Sequence, residues 1–187
     1  MNANEIIIPC RLSYANIWEP KSINGSDPKY SVSLIIPKKD KKTLAAIQSV
    51  IEKIKADPRS INKWGGKLPP KLKLPLRDGD EEKDDETYAG AMFLNANSSR
   101  PPRVIDGRLN DVMDQDEVYS GCYAKVKVAL FAYSASGNRG IGASLEVIQK
   151  VRDGERLGGS GTGIEGFGVE DEDDDRPFPA GDEGFLG

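Results

Sequence analysis

Residues 118–133 alternate between two kinds of side chain. Val118, Ser120, Cys122, Ala124, Val126, Val128, Leu130 and Ala132 are small or aliphatic, whereas Tyr119, Tyr123, Lys125, Lys127, Phe131 and Tyr133 set two lysines among four rings. Successive side chains of a strand point to opposite faces, so one face packs a core and the other displays cations and aromatics. Single-stranded nucleic acid is bound by that combination: lysines neutralise phosphates, and rings stack on unpaired bases at roughly 1–3 kcal/mol per base. The same face would also serve to cover a second apolar layer or a subunit interface, and a bulge would flip its parity.

Further candidates of the same chemistry lie in turns. Trp18, Lys21, Lys29 and Tyr30 flank the first turn, Trp64 and Lys67 sit around two glycines, Arg103 lies in a later loop, and Arg139 follows a turn. Isolated surface cations are usually just solvated, and Trp18 suits a core as well as a binding face. Trp64, between Lys63 and Gly65-Gly66, reads as harder to bury.

Other chemistries find less support. Histidine is absent, which excludes His-based triads, His general bases and His-ligated metals. Cys10 and Cys122 are too far apart for a zinc knuckle and read as reduced thiols. The run Asp78-Gly79-Asp80-Glu81-Glu82-Lys83-Asp84-Asp85-Glu86 lacks the spacing of an EF-hand loop and reads as a solvated, mobile loop. The glycine cluster at 158–163 lacks the Gly-Lys-Ser/Thr ending of a phosphate loop. No cofactor, metal or catalytic activity is expected.

The elements that must position the cations and rings are mostly strands. Residues 5–18 alternate through Ile6, Ile8, Cys10, Leu12 and Tyr14, with Pro9 marking an edge or bulge. Tyr30, Val32, Leu34 and Ile36 mark a second strand. Asp40 caps a helix over 41–57 whose stripe is Leu44, Ile47, Val50, Ile51 and Ile54. Residues 58–88 read as irregular, 90–95 as a short strand, 96–117 as loop, and 118–133 and 139–151 as long strands, the last with Ile141, Ala143, Leu145 and Val147 on one face. About five strands with one helix after the second make a mainly β Greek-key barrel.

Charge divides the chain. Residues 158–187 hold nine acids and one base, a net −8, and residues 1–157 hold 25 bases and 21 acids, a net +4. The first part reads as the folded domain, 1–157, and the second as a flexible Gly-rich linker with an acidic C-terminal tail, 158–187. A basic body fits a polyanionic partner, and an acidic segment competes for the same surface. No eighteen-residue apolar run or export signal is visible, so no membrane partner is expected.

The stretches WEPKSINGSDPKYSVSLIIPKKD (18–40) and 100–159, above all VYSGCY and GNRGIGASLEVIQKVRDGE, resemble a family of phage single-stranded DNA-binding proteins. The resemblance implies an OB fold and a non-catalytic protein of DNA replication, recombination or repair that coats single strands in the cytoplasm of the infected bacterium. The end of the chain resembles the acidic tip of bacterial single-stranded DNA-binding proteins, with Asp173, Asp174 and Asp175 before Arg176-Pro177-Phe178 and a second aromatic, Phe185, near the terminus. That implies docking of phage or host replication and recombination proteins on the tail. Readings of another class are a nuclease and an acidic protein-interaction module. RNA binding and a homo-oligomer stay open.

Overall fold

The computed structural model describes residues 1–22 and 25–157. Alternating apolar positions build the wall of a barrel. In β1 (Glu5–Lys21) Ile6, Ile8, Cys10 and Leu12 point inward, and in β6 (Tyr123–Ala135) Ala124, Val126, Val128, Leu130 and Ala132 do so. The other elements are β2 (Lys29–Pro37), α1 (Lys41–Ala56), α2 (Pro58–Lys63), β3 (Leu76–Asp78), α3 (Gly79–Glu82), β4 (Ala91–Ser98), β5 (Arg103–Ile105) and β7 (Asn138–Arg152).

Among the described residues the strands run β3-β4-β2-β1-β6-β7-β5, and a parallel Asn97–Ser144 pairing of β4 with β7 closes the ring. The closed part, β1-β2-β4-β7-β6, is a five-stranded OB barrel. Helix α1 follows the second strand. Asp40 accepts from the Thr43 N–H at 3.2 Å to cap it, and Ile47, Ile51 and Ile54 enter the same core as β1 and β6.

Four departures from the sequence pattern have physical causes. The β1–β2 register jumps from Ser13–Ser33 to Asn16–Ser31, a bulge at Tyr14, whose φ of +46° is left-handed. Parity therefore flips, so Tyr14 is 63% exposed while Ser13 and Ile17 are buried. A second shift, between Lys127–Val147 and Val128–Leu145, brings Ile148 rather than Val147 inward. The long strand begins at Tyr123, not at 118, because Gly121 at φ +114° donates its N–H to Leu12 O at 2.7 Å and leaves no room for a Cβ, which would lie 2.0 Å from Glu155 O. The β1–β2 ladder stops at Arg11–Ile35; two residues further along the register stand Pro9 and Pro37, neither with an N–H to donate.

The fourth departure is the acidic run, which takes up a helix, α3, and a 3-10 turn rather than an irregular loop, with most of its acids exposed as expected. The Lys38 ammonium bridges Asp78 (2.8 Å) and Asp80 (2.7 Å), Asp78 caps α3, and Asp80 accepts from the Gly90 N–H at 2.9 Å. Hydrogen bonds from Lys38 hold both carboxyls below the usual carboxylate range. Groups with a lowered folded pKa stabilise above their unfolded value and lose that contribution as pH falls through the folded one. The Gly90 amide resonance is therefore expected to titrate below the ordinary Asp value of about 3.9, and Lys38→Met to move that titration upward.

Candidate nucleic-acid interface

β6 carries its predicted rings at two separate places. At its C-terminal end the buried Leu130 and Ala132 turn Phe131 and Tyr133 outward, with ring centroids 6.4 Å apart and planes tilted by 57°. Phe131 is 43% exposed and lies across Gly142 of β7, where an added Cβ would come within 2.8 Å of the ring tip. These two rings line a groove of about 390 Å³ that runs to Lys29 at the start of β2, Arg77 of β3, and Asn95 and Asn97 on β4. Both asparagines are exposed because Leu94 and Ala96, alternating with them, fill the core. Two rings, two cations and two side-chain amides thus share one concave face. Arg77 is partly engaged, its guanidinium 2.7 Å from Glu82 and over the Phe93 ring at 5.1 Å; the Glu82 hydrogen bond holds its pKa above the usual value.

At the other end of β6, Tyr123 lies under the Arg152 guanidinium at 3.8 Å, with Arg11 at 5.6 Å. Lys125 is exposed beside it, and no carboxylate among the described residues comes within 4.0 Å of its ammonium. Both line a hollow of about 450 Å³ where the β1–β2 ladder opens. Between the two ends, Lys127 sits 3.6 Å from Glu5 and 3.7 Å from Glu146, so its charge is largely answered within the protein. Arginines already cover the Tyr123 ring, whereas Phe131 is left open on the groove.

The turn candidates divide in the same way. Trp64 is a correction: it is fully buried, and its indole N–H donates to Tyr133 O (3.1 Å) and Gly140 O (3.2 Å). The two glycines after it let the chain turn away at positive φ, so the indole folds under the β6–β7 hairpin while Lys67 stays exposed. Trp18 is half-buried on the core and donates to Val118 O at 3.0 Å. Tyr119 lies before β6 rather than on it; its hydroxyl donates to Gly154 O at 3.0 Å or Asp153 at 3.1 Å, and the Arg156 guanidinium covers its ring at 4.1 Å. Neither Trp64 nor Tyr119 offers a free ring face. Lys21 and Lys29 face each other at the ends of β1 and β2, and Tyr30 stands half-buried next to Lys29. Arg103 donates to Asp111 at 2.9 Å on β5, away from the groove, and Arg139 is exposed at the hairpin. The tail candidates Asp173, Asp174, Asp175, Phe178 and Phe185 lie outside the described residues.

The sequence pattern alone does not single out Asn95, Asn97 and Arg77. Asn97 falls beyond the strand read at 90–95, and only the closing β4–β7 pairing, Asn97 beside Ser144 with β7 next to β6, sets both asparagines beside Phe131 and Tyr133.

Known proteins carry the same barrel. A family model described as the Enterobacter phage Enc34 ssDNA-binding protein matches residues 4–177. Protein p50 of Acyrthosiphon pisum secondary endosymbiont phage 1 is 34% identical over 164 residues, 81% of this chain and 84% of its own. The single-stranded DNA-binding protein of bacteriophage Enc34, solved in complex with ssDNA, superposes with a TM-score of 0.70 at 26% identity, covering 84% of this chain and 91% of that one. Gp2.5, a single-stranded DNA-binding protein encoded by bacteriophage T7, shares the fold with a TM-score of 0.58 at 18% identity over 89% of this chain and 98% of its own.

Proposed function

The chain belongs to the family of the Enterobacter phage Enc34 ssDNA-binding protein, and from that premise we propose that it coats single-stranded DNA without sequence preference or catalysis in phage DNA replication. The observation that carries the reading is the Phe131–Tyr133 pair, with the exposed Phe131 ring over Gly142 and Tyr133 half-buried beside it, flanked by Lys29 and Arg77. Bases stack on the two rings, the Asn95 and Asn97 amides reach base or sugar edges, and Lys29 and Arg77 meet phosphates. Oligothymidine is expected to bind more tightly than duplex of the same length, with affinity falling steeply as salt rises. Equal affinity for duplex, or magnesium-dependent cleavage of the oligonucleotide, would sink the reading.

Lys125 and Lys127 extend the DNA path along β6. Every phosphate that a lysine no longer neutralises lowers the salt slope by roughly 0.7 for a single strand. Lys125→Ala is expected to show that drop, and Lys127→Ala less of it, because Glu5 and Glu146 already answer its charge. An unchanged slope in the folded double variant would assign both lysines another role.

The acidic segment 158–187 acts on the same surface. Tethered to a body of opposite charge, its nine acids compete with DNA phosphates at high effective concentration, and Phe178 and Phe185 dock replication and recombination proteins in the host cytoplasm. Protein ending at residue 157 is then expected to bind oligothymidine more tightly, most clearly at low salt. Equal affinity of the two forms there would remove the competition.

A further inference from the structure

On the far side of Phe131 from the groove lies a second hollow, of about 560 Å³, that the same ring helps to line. Its walls are the N-terminal residues Asn2 and Asn4, the end of α1 at Lys53, and α2 at Arg59, Ser60 and Lys63. They are built rather than loose. Leu130 N–H donates to Asn4 O at 2.9 Å, the Asn4 side-chain amide returns a bond to Leu130 O at 3.0 Å, and Asp57 caps α2. Three cations face one carboxylate there. Arg59 engages that carboxylate, Asp57, at 2.9 Å, whereas no acid among the described residues lies within 4.0 Å of the Lys53 or Lys63 ammonium.

Resting on the reading above, we propose that the DNA path does not end at Phe131 but crosses it onto the α1–α2 shoulder, where Lys53 and Lys63 hold backbone phosphates. Phe131 then separates two stretches of one track: bases stack in the groove on one side, and the sugar-phosphate chain is held on the other. The shoulder offers no exposed ring besides Phe131, so it adds charge without stacking. It reads length rather than sequence: only a strand long enough to leave the groove gains from it.

Fluorescence anisotropy with two labelled oligothymidines tests this, one of about 5 and one of about 15 nucleotides, spanning the usual site sizes of one OB fold. The full-length protein is compared with its Lys53→Ala/Lys63→Ala variant over a salt series. For the longer strand the variant's slope of log affinity against log salt is expected to be shallower by roughly 1.4, two phosphates at about 0.7 each. For the shorter strand the two proteins should match, which also shows that the variant is folded. Equal slopes on the longer strand overturn the shoulder while leaving the groove intact. Equal losses on both strands overturn it too, by moving the lysines into the groove. Failure of the parent protein to bind either strand removes the proposed function and this inference with it.

Discussion

Trp64→Ala is expected to lower the free energy of unfolding by about 3–5 kcal/mol, the usual cost of emptying a large aromatic site in a core. The indole is fully buried among core residues and donates its N–H to two carbonyls of the β6–β7 hairpin. A domain of this size holds about 5–15 kcal/mol in all, so the variant loses a large share of it. Trp64→Phe keeps most of the volume but forfeits the donor, and should cost roughly 1–3 kcal/mol. Urea titrations followed by circular dichroism measure both, as a fall in midpoint at unchanged m-value. A Trp64→Ala protein as stable as its parent, but weak on DNA, would return Trp64 to the binding face.

Phe131→Ala should do the opposite, weakening oligothymidine binding roughly 5- to 150-fold, equivalent to about 1–3 kcal/mol of stacking, with little change in stability. Its ring is nearly half exposed and rests on a glycine, so removing it opens no core cavity. The salt slope should hold, since stacking releases no counterions. Tyr133→Ala should act in the same direction with some cost in stability, because that ring is half-buried. Phe131→Trp should keep most of the affinity. An unfolded Phe131→Ala protein would make the ring structural.

Much of this barrel is legible in the sequence because its signals are local. Asp40 and the Ile47-Ile51-Ile54 stripe define α1 from spacing alone, and the period of two in residues 123–133 places Phe131 and Tyr133 outward. What fails is set by distant partners. Nothing near Tyr14 announces the bulge; it arises where β1 must pair with β2 while the Ala15 N–H donates to Ser120 Oγ at 2.9 Å. Trp64 has the neighbours of a surface residue, and is buried only because the β6–β7 hairpin presents two carbonyls to it. The acidic run reads as a loop without partners until Lys38, forty residues earlier, is brought against Asp78 and Asp80; its other acids stay exposed as read. Groove residues come from β2, β3, β4, β6 and β7, and strand order, not any one motif, gathers them.

The facing prolines at the end of the β1–β2 ladder bear on how such molecules behave when crowded. Proteins that line a strand stand shoulder to shoulder at concentrations where an open sheet edge would recruit its neighbour and seed aggregates. Residues 5–9 of β1 pair with β6 on one side and, among the described residues, with no strand on the other. That bare margin carries Pro9, which offers an intruding strand no N–H, and across the gap Pro37 denies the same on β2. On the proposed coating function, these prolines would let neighbours pack closely on DNA without pairing their sheet edges.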